Sequence, residues 1–328
     1  GILALPLYGD LTPEEQDRAV QPAAQRKVIF STNVAESSVT IDGVRVVIDS
    51  GLARVAEDSP WTGLPMLNIK RISQASAQQR AGRAARQGPG IVVRLYGQED
   101  FARRPAQDKP EILRRELSQL LLDIRTLGVA DPRTLPWLDP PPAEALAAAA
   151  ALLDQLGAAG EVARRMATLP LHPRLARLVL EADRRGARRE ACRLTAQLSG
   201  GDERVARQVD RLLGRSRVEQ PDEHGYEKSV LIAFPDRVAK HRRDQEVLLV
   251  GGGSAIVERG HVLPWLVAVD IEERRERGLP LVREWVAIEP DWLLDFFPHQ
   301  VEEREELLWN RDSQRIDAVS SLRYGQLV

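Results

Sequence analysis

The sequence predicts an α/β lobe followed by an all-α region and a β-rich C-terminal domain, and three observations carry that reading. Short β-branched runs alternate with polar loops and a helical stretch up to about Pro105. Apolar spacing then turns helical from Pro110 to about Gly214, and after Arg217 it shortens again into strands. At roughly 150 residues per domain, the 328 residues hold more than one folding unit.

In the first segment Val28-Ile29-Phe30, Val44 to Ile48 and Ile91 to Leu95 suit buried parallel strands, and Gln78 to Arg86 reads as a helix. Arg54 to Ile72 reads as a projecting hairpin, because two extended pieces flank the turn residues Asp58-Ser59-Pro60-Trp61-Thr62-Gly63. In the second segment Ile112, Leu113, Leu117, Leu120, Leu121, Ile124 and Leu127 predict one helix ending at Gly128. Ala143 to Leu156, Pro173 to Asp183 and Arg188 to Ser199 predict three more. In the third, Ser229 to Phe234, Glu246 to Val250, Leu263 to Asp270, Val282 to Ile288 and Glu306 to Trp309 read as strands, with a helix near Asp291 to Phe297.

A composition of 43% hydrophobic and 29% charged residues is that of an ordinary globular protein. Apolar runs such as Ala145 to Leu153 stop short of the ~18 residues a membrane span needs, so no membrane partner is expected. The lone Cys192 and the lack of a charged-then-apolar leader point to a cytoplasmic protein. The chain opens Gly-Ile-Leu without Met, as a piece of a longer polypeptide would. The net charge of −2 hides an uneven distribution: residues 161–217 carry 14 basic and 7 acidic side chains, residues 218–328 carry 14 and 22. The arginine-rich middle is either a phosphate-facing surface or a set of solvated helix faces.

The sharpest chemical signal is Gln79-Arg80-Ala81-Gly82-Arg83-Ala84-Ala85-Arg86. On a helix Gln79, Arg83 and Arg86 fall within about 60° of one another, and Gly82 permits close backbone approach. An amide and two guanidinium forks on one face suit a polyphosphate whose charge grows during transfer; the plainer alternative is an exposed arginine-rich helix. Ser31 to Gly43 follows the strand Val28 to Phe30, so hydroxyls and an amide gather at a strand's C-terminal end, where open α/β sheets bind ligands. Such groups can hold a nucleic-acid phosphate without reading its base.

These segments resemble a known family. STNVAESSVTIDGV is similar to motif V of DEAH-box helicases, VIDSG to the segment after it, and QRAGRAAR to motif VI, in the family's order and spacing. Leu7 to Leu11, Pro13 to Gln16 and Arg26 to Val28 resemble the approach to motif V in the bacterial HrpB-type branch. EVARRMATLPLHPRLARLVL, AFPDRVAKHR and Asp295 to Pro298 with VEEREELLW extend the resemblance over almost the whole chain.

The resemblance implies four domains: a second RecA-like lobe over 1–105, with helices on both faces of a parallel sheet plus a hairpin; a winged-helix-like domain over 106–171; a ratchet-like helical region over 172–217; and an HrpB-type C-terminal domain over 218–328. It implies ATP-driven movement along single-stranded RNA or DNA. Arg83 and Arg86 would be finger-like arginines, Gln79 would order the γ-phosphate or the attacking water, and Arg80, Gly82 and Asp42 would lie near the nucleotide. Ser31, Thr32 and Asn33 would lie near the nucleic-acid backbone. ATP and Mg²⁺ would be held mainly by the first RecA-like lobe of the same protein, which this sequence does not contain. Ala85 stands where the family usually has Gly; since alanine favours helix, the helix is expected to persist through it.

No Gly-x-x-x-x-Gly-Lys-Ser/Thr loop occurs, so the chain alone is expected not to hydrolyse ATP. Asp222-Glu223-His224 reads as a solvated loop rather than a magnesium motif, Gly253-Ser254-Ala255 is no nucleophile elbow, and the five histidines show no ligand spacing. His172, between Leu171 and Pro173, reads as structural. Two functions follow: part of an ATP-dependent helicase, or an ATPase-free nucleic-acid-binding or scaffolding module. Oligomeric state stays open.

Overall fold

The computed structural model describes residues 1–9, 11–37, 39–58, 65–201, 203–215, 218, 220–258, 260, 262–272, 278–310 and 314–328. The chain divides into two compact units, Gly1–Glu57 with Pro65–Arg115, and Asp58–Leu64 with Glu116–Val328.

The first unit runs β1 (Ile2–Leu7), α1 (Pro13–Val20), β2 (Arg26–Ser31), α2 (Val34–Ser37), β3 (Val46–Asp49), β4 (Leu52–Asp58), β5 (Pro65–Arg71), α3 (Gln74–Ala84), β6 (Ile91–Arg94) and α4 (Gln98–Ala102). β1 pairs in parallel with β2, and β3 with β6. β4 and β5 pair as the expected hairpin, whose turn at 59–64 lies outside the described residues, as do Asp10 and Ser38. Thr12 starts α1 with a capping box: its hydroxyl accepts from Glu15 N, and the Glu15 carboxylate accepts from Thr12 N.

The expectation of helices on both sheet faces is not met. Leu5 and Leu7 are buried with Ala19 of α1, and α3 packs on β3 and β6. The alternate residues Ile2, Val28, Phe30, Val46, Ile48, Ile91 and Val93 are exposed, Phe30 by 67% and Ile48 by 66%. Successive strand side chains point to opposite faces, so one face of both parallel pairs is covered and the other is open among the described residues.

A second correction concerns the motif VI helix. It ends at Ala84, with Ala85 as its C-cap (φ −100°, ψ 8°), so Arg86 lies beyond the helix and alanine does not prolong it. The chain turns back at once: a Cβ on Gly90 would sit 2.1 Å from the Ala84 carbonyl oxygen. Packing of the returning strand β6 overrides the helix propensity of Ala85.

The second unit is all-helical up to its last domain: α5 (Ser118–Thr126), α6 (Ala143–Gln155), α7 (Gly160–Ala167), α8 (Pro173–Arg185), α9 (Arg188–Leu198), α10 (Glu203–Leu213) and α11 (Gly225–Ala233). The single helix expected over Ile112 to Leu127 is broken into a turn at Glu111–Leu113 and α5. The Glu116 carboxylate accepts from Ser118 N and Oγ, satisfying donors at the start of α5. α8 is the core helix, capped by Pro173 at its first turn and by Gly186 (φ 81°) at its end. His172 is structural as expected: its Nδ1 accepts from Arg174 N, while Nε2 lies 3.2 Å from Glu116.

Ser229 to Phe234, expected as a strand, is the buried end of α11. A continuous apolar run fits a buried helix as well as a buried strand, and periodicity alone does not separate them. Then follow β7 (Val238–Arg243), β8 (Glu246–Leu249), β9 (Ser254–Val257), β10 (Trp265–Glu272), β11 (Leu281–Ala287), α12 (Asp291–Phe296), β12 (Val301–Asn310) and β13 (Arg315–Tyr324). β7 to β11 close a barrel in the order β10-β11-β9-β8-β7, with β9 and β11 parallel. That is the connectivity of an OB barrel, and it removes every sheet edge. Its inside is filled by small and branched residues, Ala239, Val247, Ala255, Leu266, Ala268 and Val282. β12 and β13 form a separate ten-residue hairpin. No single described helix is long and apolar enough to cross a membrane.

Candidate functional site

The candidate site lies in the first unit, where α3 packs against the loop that follows β2. Ser73 starts α3 by accepting from Ser76 N (3.1 Å) and donating to Asp108 (3.0 Å). One turn along, Ser76 Oγ and Arg80 Nε reach opposite oxygens of Glu36, at 2.6 and 2.9 Å. Arg80 also donates to Asp49 Oδ1 (2.9 Å) and to the Leu52 carbonyl (3.0 Å).

Asp49 is 2% exposed, and its carboxylate takes two further bonds, from Gly51 N (2.9 Å) and from the Tyr96 hydroxyl (2.7 Å). Burial pushes its pKa up, but Gly51, Tyr96 and Arg80 outweigh that and hold it below the ordinary carboxylate value. Burial and the Asp49 carboxylate push Tyr96 up to about 12. Arg104 closes the network, donating to the Gly51 carbonyl (2.9 Å) with its guanidinium 3.9 Å above the Tyr96 ring. Glu36, Arg80, Asp49, Tyr96 and Arg104 thus lock β3, α2 and α3 together through paired charge.

The predicted site residues divide against this framework. Arg80 is spent inside it, with its side chain only 14% exposed. Arg83 Nε donates to the Glu36 carbonyl (2.8 Å) and Nη1 to that of Val39 (3.2 Å), while Nη2 also binds Glu36 O, so it ties α3 to the loop after β2. Gln79 and Arg86 are exposed and make no hydrogen bond or ion pair among the described residues. Gly82 has open space around it. Asp42 accepts from Gln87 Nε2 (2.8 Å), and Gln87 Oε1 accepts from Gly43 N (2.9 Å). Ser31 Oγ bonds the Leu7 and Thr32 carbonyls (3.1 and 2.9 Å), which leaves Thr32 and Asn33 exposed with free side chains.

Glu36, Tyr96 and Gln87 were not singled out in the sequence. A charged residue amid small and hydroxylated neighbours was the available signal for Glu36; the other two depend on tertiary contacts. Free cations and amides fit a phosphate. They do not fit Mg²⁺, and no group of three or more His, Cys, Asp or Glu side chains placed to hold a metal occurs among the described residues. Asp222 is held by Arg185 (2.9 Å) and Lys228 (2.9 Å) in the second unit. His261 lies outside the described residues.

The arginine-rich middle is partly consumed as well. Arg174 forms a two-pronged pair with Asp236 (2.7 Å on each prong), and Arg188, 13% exposed, is held by Asp183 and Asp210. Arg189 is exposed.

Comparison with known proteins places a helicase C-terminal domain in the first unit. The helicase conserved C-terminal domain matches residues 1–88. The chain is 34% identical, over 99% of its length, to the ATP-dependent RNA helicase HrpB of Escherichia coli, and 41% identical over 61% of its length to the RNA helicase HrpA of the same organism. The crystal structure of the E. coli DExH-box NTPase HrpB superposes with a TM-score of 0.77 at 32% identity, over 99% of this chain and 44% of that one. The chain spans 44% of HrpB and 16% of HrpA. It belongs to the HrpB-type DEAH-box helicases and corresponds to their C-terminal part.

Proposed function

We propose that the chain is the C-terminal part of an ATP-dependent RNA or DNA helicase, supplying cationic groups to an ATP whose phosphates and Mg²⁺ are held by a P-loop lobe of the same polypeptide. The observation that carries this reading is the division along α3 and the residues just past it: Arg80 and Arg83 are bound locally, whereas Gln79 and Arg86 are exposed and unpaired among the described residues. An unpaired guanidinium that stays ionised is what charge growth in phosphoryl transfer requires. Arg86 is the finger, and Gln79 orders the γ-phosphate or water. Arg83 serves as a second finger when it leaves the Glu36 and Val39 carbonyls, and until then it transmits loop position to α3. Gly82 and Asp42 lie at the nucleotide edge, and Arg80 holds the helix that faces it.

Single-stranded nucleic acid passes Ser31, Thr32 and Asn33, whose hydroxyls and amide contact phosphates without reading bases. Because Glu36 lies three to five residues further on and binds Arg80 and Arg83, a shift of this loop moves the arginine helix directly. The HrpB name of the relative supports the RNA choice. The test is ATP hydrolysis by a polypeptide joining this chain to a P-loop lobe, with and without single-stranded RNA. RNA-stimulated turnover supports the reading. Turnover that RNA does not stimulate and that neither Arg86→Ala nor Arg83→Ala lowers leaves the chain as an ATPase-free binding module.

A further inference from the structure

A cleft in the second unit is used by none of the chemistry above. It has a volume of about 370 Å³ and lies between α8, the turn joining α6 to α7, and the segment that follows α12. That is the small end of the range for ligand clefts, matching one nucleotide rather than a folded segment.

Its floor is one face of α8, where residues at i, i+4, i+7 and i+8 meet. Glu181 is 5% exposed and is shared by three guanidiniums: Arg177 at 3.0 Å, Arg184 at 3.1 Å and Arg185 at 3.6 Å. Arg185 has a second carboxylate, Asp222, at 2.9 Å, and lies over the Phe296 ring at 5.2 Å. Arg184 has none and is 70% exposed. Arg177 is buried apart from 16% of its side chain and keeps an Nε with no acceptor. The cleft's other carboxylate, Asp154, is engaged by Arg125 at 3.2 Å. Burial, together with the Arg184 and Arg185 charges, lowers the Arg177 pKa, although Glu181 opposes it.

Arg184, with one carboxylate partner and most of its side chain in solvent, is the cation that this floor leaves open to an anion. Beside this cationic floor stand the half-buried Phe296, the exposed His299 ring and the amides of Gln155 and Gln300. Guanidiniums beside a ring and amides suit a phosphate joined to a flat heteroaromatic base.

We propose that this cleft binds one nucleotide unit, with Arg177 and Arg184 on its phosphate and Phe296, His299 and the two amides around its base. The unit is either a free nucleotide or one residue of a bound strand. An acidic peptide would satisfy the arginines but not the ring and amides.

The test uses the 328-residue chain at low salt with three probes: adenosine monophosphate by calorimetry, and a fluorescent single-stranded oligoadenylate and a poly-glutamate peptide by anisotropy. Arg184→Glu reverses an exposed charge, and thermal unfolding verifies that the fold is kept; His299→Ala removes the ring without touching Glu181. Each variant is expected to weaken monophosphate or oligoadenylate binding, Arg184→Glu by about tenfold or more. Arg215→Glu, an equal charge change outside the cleft, is expected to weaken monophosphate binding by less than about twofold. Binding of the monophosphate identifies a free-nucleotide site; binding of the oligoadenylate alone identifies a strand contact.

The proposal is overturned if the wild-type chain binds neither nucleotide probe, if both variants bind as the wild type does, or if Arg215→Glu matches Arg184→Glu. It is also overturned if poly-glutamate binds as tightly as oligoadenylate. The cleft lies wholly in the second unit and the ATP reading rests on the first, so failure here and failure of the ATP reading are separate results.

Discussion

Asp49 joins sequence to stability more directly than any other residue of the first unit. It ends a short strand, is buried, and survives as a carboxylate because three donors converge on it. Replacing Asp49 by Asn leaves Arg80 with one carboxylate partner instead of two and is expected to cost about 2–3 kcal/mol of stability, read by urea denaturation. The pH dependence has a definite sign. The folded-state pKa lies below the unfolded value of about 3.9, so the stabilisation is complete above that pH and is lost as pH falls through the lower folded value. Acid unfolding curves of the wild type therefore carry a limb that Asp49→Asn removes; identical acid limbs would contradict the network. Arg83→Ala and Arg86→Ala are expected to differ at the same scale. Arg83→Ala frees two carbonyls of the loop and lowers the melting temperature as well as turnover, whereas Arg86→Ala removes no hydrogen bond or ion pair among the described residues and leaves melting unchanged.

The elements that the sequence made legible were those with a strong local signal. The sequence predicts α8 from Pro173 to Asp183, two residues short of its end at Arg185, whereas α1 escaped the reading although Thr12 and Glu15 carry its capping box in adjacent residues. The end of α3 was not legible, since it depends on a returning strand whose Gly90 passes the Ala84 carbonyl. Neither was α11, where burial on every side erased the periodicity. The candidate site was half legible. The residue types of α3 and the loop carry the expectation of phosphate chemistry, but which arginines are free and which are spent follows from contacts to Glu36 and Asp49, 31 to 47 residues away. The open sheet face is an element-scale consequence as well. Exposed branched and aromatic residues on the two parallel pairs leave apolar side chains open to solvent, so the chain is expected to enhance the fluorescence of an apolar dye. Phe30→Ser combined with Ile48→Ser should reduce that signal several-fold, whereas an unchanged signal would place the dye elsewhere.

Across the whole molecule, charge is distributed by role. The acidic C-terminal part contains the closed barrel, and the basic middle spends Arg174, Arg177, Arg185 and Arg188 on buried pairs while leaving others on the surface. Single-strand binding should therefore weaken with salt, with a log–log slope of about −0.7 per phosphate neutralised and a phosphate count well below the 14 basic residues of 161–217. A salt-independent association would remove the phosphate reading of that region. The central claim is that an unpaired arginine just past α3 completes an ATP site built on another lobe. The most direct measurement is steady-state ATP hydrolysis by the polypeptide joined to its P-loop lobe, wild type against Arg86→Ala, with melting temperatures recorded for both. The account predicts equal melting and a kcat lower by about 10³ in the variant; equal turnover would contradict it.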